Sequence, residues 1–333
     1  MQLCRRIDHV ETRSPPYVVV IVAVEIEIQP CAKLDDERLS LEIYNAVWPH
    51  NAITIDEVHS WKGSLRDHAE YLAHLDGRPA GSAVAAIQPA RPKLAFALVT
   101  VLREHRRQGV GTALYRAVSE WAAQRTLEAI ETFVEGDDPD SLGYARRRGF
   151  TETVREGRMV LELGNVDDVA IAPPEGVEIV TWAERPDLAR GLYEVACESF
   201  PDIPGAEDDE MEPFEDWLAH EMQGSGDRPE ATFVALSGDE VVGYAKFSLT
   251  AARPTIASHD MTGVKRAWRR RGIAGALKRA QIAWAKQAGY ERLETANELR
   301  NEPIRRLNAA LGYQPAPGRI YLRGPLAAAS DGA

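Results

Sequence analysis

An α/β fold present twice in tandem is what this sequence predicts, and three observations predict it. Residues 101–150 repeat without a gap at 264–313, with 17 identities in 50 positions. Strand-like and helix-like stretches alternate within each half, the pattern of an α/β sheet. The same small-residue turn opens a long helix at the same place in both copies. The period is far too long for a solenoid, so two copies of one domain is the natural reading. The identities include Arg106/Arg269, Gly109/Gly272, Ala113/Ala276, Leu114/Leu277, Trp121/Trp284, Thr132/Thr295 and Gly149/Gly312.

Taken in order, the 333 residues suit two domains of about 150 residues each. Residues 1–16 match no later pattern and read as an extension. Residues 17–165 form a first domain and 177–333 a second. The linker, 166–176, holds Asp167, Asp168, Pro173 and Pro174 between two apolar strands. A strand opens each half (18–28; 177–181). Helical stretches follow (34–47; 188–199 and 213–222). A hairpin turns at Asp76-Gly77 or at Ser237-Gly238-Asp239. A further strand leads into the long helix (111–125; 274–288), and then comes a strand (130–134; 293–296). A short helix and a last strand (159–163; 320–323) close each half.

Composition bounds the function. Apolar residues at 44% and charged residues at 27% are ordinary for a globular chain. The net charge of −12 argues against a nucleic-acid partner, which is held by Lys and Arg, and favours a cationic one. Cys4, Cys31 and Cys197 are few, odd in number and far apart, so neither a disulfide framework nor a metal site is expected. A reducing cytoplasm fits. The apolar run 18–24 is too short to cross a membrane, and Glu25 and Glu27 follow it at once.

The chemistry centres on the turn. In the first half it reads Arg106-Arg107-Gln108-Gly109-Val110-Gly111-Thr112; in the second, Arg269-Arg270-Arg271-Gly272-Ile273-Ala274-Gly275. The first amides of a helix lack internal partners, and the helix dipole adds positive potential there. Small residues let a ligand approach the backbone. Together these features cradle a diphosphate. A dinucleotide fold needs a third glycine where Leu114 and Leu277 stand, and no Gly-Lys-Ser/Thr of a phosphate loop occurs.

This turn resembles motif A of the GNAT acetyltransferase superfamily. A second motif of that family resembles the stretch from Tyr144 to Gly149-Phe150. A fuller version runs from Thr295 through Asn297 and Asn301 to Gly312-Tyr313. The layout is similar to that of tandem members. The resemblance implies two GNAT folds, each with a mixed, mostly antiparallel central sheet, a splayed strand pair and flanking helices. It implies acetyl-CoA as co-substrate, no metal, and N-acetyl transfer to a small-molecule primary amine by direct attack in a ternary complex. By the family pattern Val101 and Val264 touch the coenzyme through main chain. Arg106, Gln108, Gly109, Val110, Gly111 and Thr112 hold its diphosphate in one half. Arg269, Arg271, Gly272, Ile273, Ala274 and Gly275 do so in the other. Asn297 and Asn301 reach the pantetheine or the acceptor, or else cap a helix.

Departures from the pattern are informative. The family's acid, a Tyr four residues before the last motif's glycine, is here Ala145 or Asn308; Tyr144 is one place early. The usual base position falls on Ala95 and Ser258. Strand neighbours of Ser258 titrate better, so Asp260 is the expected base, followed by His259. Asp260 shares a face with Ser258, and His259 points to the other. The first half offers neither base nor acid and is expected to bind acyl-CoA as a degenerate or structural copy. Glu207, Asp208, Asp209, Glu210, Glu212, Glu215 and Asp216 either form a solvated acidic loop or wall the acceptor site and suit a cationic amine, with Phe214 and Trp217 lining it or packing in the core. A non-catalytic acyl-CoA sensor is the competing reading. A monomer or homodimer is expected.

Overall fold

The computed structural model describes residues 25–167, 169–204 and 211–328. The extension 1–16, Cys4, the run 18–24, Asp168 and the acidic residues Glu207 to Glu210 lie outside them. The first half runs β1 (Ile26–Pro30), α1 (Leu34–Val47), α2 (Ile55–Gly63), β2 (Asp67–Leu75), β3 (Arg78–Ile87), β4 (Leu94–Val101), α3 (Val110–Gln124), β5 (Ala129–Glu135), α4 (Pro139–Arg146) and β6 (Thr151–Glu162). The second runs β7 (Glu178–Thr181), α5 (Ala189–Ser199), α6 (Phe214–Trp217), β8 (Thr232–Ser237), β9 (Glu240–Leu249), β10 (Ile256–Val264), α7 (Ile273–Gln287), β11 (Arg292–Glu298), α8 (Glu302–Ala310), β12 (Gln314–Ala316) and β13 (Arg319–Gly324).

Local chemistry explains the boundaries. Helix α2, missed in the sequence, starts at a Thr54/Glu57 capping box: the Glu57 amide donates to Thr54 Oγ1, and the Thr54 amide donates to Glu57 Oε2 at 2.6 Å. The β2–β3 turn sets both Asp76 and Gly77 at positive φ, as a tight hairpin turn requires. Helices α3 and α7 bury matching stripes, Val110, Leu114, Val118 and Trp121 in one and Ile273, Leu277 and Ala280 in the other.

The closing strands depart from expectation. The sequence has each closing its own half; instead the two halves exchange them. The strand order is β1-β2-β3-β4-β5-β13-β6-β11-β10-β9-β8-β7, with β12 on β6. Strand β13, from the second half, lies between β5 and the start of β6. The far part of β6, Glu156 to Glu162, lies between β11 and β12. The two segments cross at Gly318, where a Cβ would sit 2.1 Å from the Glu156 carbonyl oxygen; only glycine fits such a crossing. The cores follow the exchange. Ile320 and Leu322 of β13 pack in the first half's core, and Met159 and Leu161 of β6 pack with Phe247, Leu293 and Tyr313 in the second's. Among the described residues no helix is long and apolar enough to cross a membrane.

Candidate active site

Strands β10 and β11 run parallel for only three pairs, from Ile256 with Arg292 to Ser258 with Glu294. They then part, β10 staying with β9 and β11 with β6, so a wedge opens within the sheet. At its mouth β10 is bulged: His259 faces Phe247, and the next aligned pair is Met261 with Lys246. Asp260 is the extra residue, and a bulge leaves the extra residue's backbone outside the ladder. The first half has the same brief contact between β4 and β5, but β4 pairs with β3 in unbroken register.

Past the wedge the chain enters α7 through Arg270 at φ 61° and Gly272 at φ 91°. A cavity of about 1060 Å³ connects this turn to the wedge. Its wall includes Val264, Arg269, Gly272, Ile273, Ala274 and Gly275, and further along Asn297 and Asn301. Arg270 and Arg279 line it too. Arg271 does not: it stacks over Trp268 and donates to the Ala267 carbonyl at 3.1 Å. Asn301 stands at the cap of α8 but makes no side-chain capping bond, and Asn297 accepts from the Asn308 amide at 2.9 Å.

The first-half turn is arranged differently. Val101, Arg106, Gln108, Gly109, Val110, Gly111 and Thr112 lie outside this cavity's wall. Tyr144 rests against Gly111, and its hydroxyl donates to the Gly111 carbonyl at 2.7 Å. Arg148 covers the Tyr144 ring and donates to Thr112 Oγ1 at 2.7 Å. Arg106 pairs with Asp138, and Gln108 donates to the Glu104 carbonyl. The protein's own aromatic ring thus lies against the first-half turn.

At the wedge, Asp260 lines the cavity and pairs with Lys246 at 2.7 Å. Lys246 also donates to Asp227 at 2.7 Å and to the Glu221 carbonyl. Burial opposes the Lys246 charge, but Asp260 and Asp227 outweigh it and hold the ammonium above its usual range. Glu221 sits on a π-helical turn, Leu218–Met222; the protein packed around its carboxyl, then the Asp260 charge, push it up to about 7. Ser258 faces a separate pocket of about 180 Å³ and accepts from Arg253 at 3.0 Å.

His259 points to the α7 side of the sheet. Its ring lies 4.7 Å from Phe247, and Nε2 shares a hydrogen bond with the Tyr313 hydroxyl. Burial, then the Lys278 charge, hold it well below the usual histidine range, so it is neutral. Lys278 also lines the cavity, at 1% exposure. Burial alone brings its ammonium down to about 7, with no acidic group offsetting it. Sequence reasoning missed Lys278; the available signal was a lysine on α7's otherwise buried face, where the repeat has Tyr115.

The cavity's remaining wall comes from across the repeat. Phe96, Glu131 and Glu156 of the first half line it together with Tyr321 of β13. Glu131 is clamped by Arg91 and Arg323. Burial pushes the Glu156 carboxyl up, and the Tyr321 hydroxyl donates to it at 3.2 Å. Among the described residues of the expected acidic wall, Glu212, Glu215 and Asp216 do not line the cavity. Glu212 pairs with His220, while Phe214 meets Tyr193 edge-on and Trp217 packs tilted against it in the core. Among the described residues, no group of three or more His, Cys, Asp or Glu is placed to hold a metal.

Residues 37–150 and 189–313 match the model of the Acetyltransferase (GNAT) family. An L-2,4-diaminobutyric acid acetyltransferase from Nocardia farcinica is 34% identical over 83 residues, which span 23% of this chain and 43% of that relative. Two solved structures share the fold at a TM-score of 0.71. A tandem GNAT protein from the clavulanic acid biosynthesis pathway is 20% identical, covering 92% of this chain and 100% of its own. A GCN5-related N-acetyltransferase from Sphaerobacter thermophilus is 22% identical, covering 90% and 96%.

Proposed function

Because the chain belongs to the GNAT acetyltransferase family, we propose that it transfers an acetyl group from acetyl-CoA to a primary amine of a small molecule, with the second half as the working copy. One observation carries this: a single cavity joins the Gly272–Gly275 turn to the Asp260 carboxylate. Acetyl-CoA supplies a thioester carbonyl to the incoming amine. The unpaired amides of α7, with Arg269, Arg270 and Arg279 nearby, suit its diphosphate. The bulge at Asp260 leaves main-chain groups free to meet developing negative charge on oxygen.

Asp260 is the base that takes the amine proton, since a free alkylamine has a pKa near ~10.4. Lys246 holds that carboxylate in place and Glu221 couples to it. Carboxylates at the acceptor end, Asp260 and Glu156 above all, favour a cationic acceptor that enters between the halves. The first half contributes wall rather than chemistry, because Tyr144 covers its turn and β4 has no bulge.

A thiol-release screen with acetyl-CoA against diamines, aminosugars and basic amino acids tests the reading. Turnover with a cationic amine and one coenzyme bound per chain are expected. Coenzyme binding without thiol release from any amine would support the sensor reading, which the burial of Asn308 at the family's acid position favours.

A further inference from the structure

The position where the family carries its proton donor holds Asn308, which is fully buried and tied to Asn297. Another polar group stands at the reacting end of the same cavity. Helix α7 returns antiparallel to β10, so Lys278 lies about 9 Å along the helix from Gly272. Its charge acts on His259, beside the bulge rather than at the diphosphate turn. Its aliphatic stem is enclosed, Tyr313 presents its ring 5.8 Å from Nζ, and no carboxylate offsets its charge. An ammonium buried this way is incomplete until a ligand brings a negative group.

We propose that Lys278 delivers a proton to the departing coenzyme thiolate. The inference rests on the acyl-transfer reading above. The acceptor nitrogen bonds to the thioester carbon and the carbon–sulfur bond breaks, leaving its electron pair on sulfur. Lys278 gives sulfur one proton and becomes a neutral amine. Asp260 takes the proton that the acceptor nitrogen loses, and solvent returns the proton balance between the two. A thiol has a pKa near ~8.5 and the Lys278 ammonium about 7, so the transfer runs downhill. His259, Tyr313 and the buried Gln281 amide are the other polar groups facing Lys278 from β10, β12's approach and α7, and none carries a charge.

The test follows thiol release from acetyl-CoA with the accepted amine by the full chain across pH, beside the affinity for free coenzyme A. Release should fall above about pH 7 as Lys278 loses its proton, and Lys278→Met should lack that limb and release thiol at least about tenfold more slowly. Lys278→Arg keeps the charge but cannot release its proton, so it should bind coenzyme A yet lose thiol release at least about tenfold. The same basic limb in wild type and Lys278→Met would overturn the proposal, as would full thiol release by Lys278→Arg. Failure of wild type to bind coenzyme A at all would instead overturn the acyl-transfer reading.

Discussion

Lys278 enters the folded state with its charge uncompensated, and that sets a pH signature. Its ammonium has a pKa of about 7 when folded against ~10.4 unfolded. Below the folded value both states are protonated and the burial penalty is complete. Between the two values the unfolded state alone binds the proton, so stability rises with pH. Lys278→Met removes the penalty and should stabilise the protein by roughly 3–5 kcal/mol near pH 6, with the gain vanishing near pH 10. Thermal melts at both pH values check this; a gain independent of pH would refute it. Asp260 makes the second residue-scale prediction. Beside it stands Glu221, whose carboxyl burial and then the Asp260 charge push up, with Lys246, Asp227 and Glu212 also facing it, so Glu221 sets the acid limb of kcat/KM. Activity should fall as pH drops through about 7. Asp260→Asn should lower kcat/KM by about 10²–10⁴, and Glu221→Gln should shift the limb to lower pH. Alternation along β10 made the opposed faces of Asp260 and His259 legible in the sequence. Lys246, Asp227 and Glu221 were not legible, because they come from a separate strand, a loop and a helical turn.

At the level of elements, the strand–turn–helix unit was readable twice over because its requirements are local: small residues, a positive φ at glycine, arginines and a helix start. What the sequence does not display is which copy of the turn is open. That depends on Tyr144 crossing from α4 to α3, a contact that motif spacing alone left ambiguous. The difference yields a paired test. Gly275→Glu places a carboxylate in the open α7 turn, where it opposes a diphosphate, and should weaken coenzyme binding at least about tenfold, or about 1.4 kcal/mol. Thr112→Glu alters the equivalent place in α3, where Arg148 can pair with the new carboxylate, and should leave binding unchanged. Titration calorimetry with coenzyme A compares them; equal losses would show that both turns hold coenzyme.

For the whole molecule, the exchange of β6 and β13 means that neither half owns a complete sheet. The sequence could not show this, since a strand with the alternation of residues 159–163 suits either sheet and its partner is set by long-range pairing. Gly318, where the two segments cross, is a local trace, and it reads equally well as an ordinary turn. The consequence can be tested by cutting the linker. A fragment ending at residue 167 lacks β13, which leaves an edge of β5 unpaired and removes Ile320 and Leu322 from its core. A fragment starting at residue 171 lacks the far part of β6, which strips β11 of its partner and removes Met159 and Leu161. Unpaired, apolar edges recruit other chains, so each fragment alone should aggregate or show no cooperative melt. Mixed during refolding, the two should reassemble one-to-one and recover thiol release, because the exchange supplies each with its missing strand. Size exclusion and thermal melts read the outcome. A stable, fully active monomer from residues 171–333 alone would show that the first half is dispensable, and with it the wall that Phe96, Glu131 and Glu156 lend to the cavity.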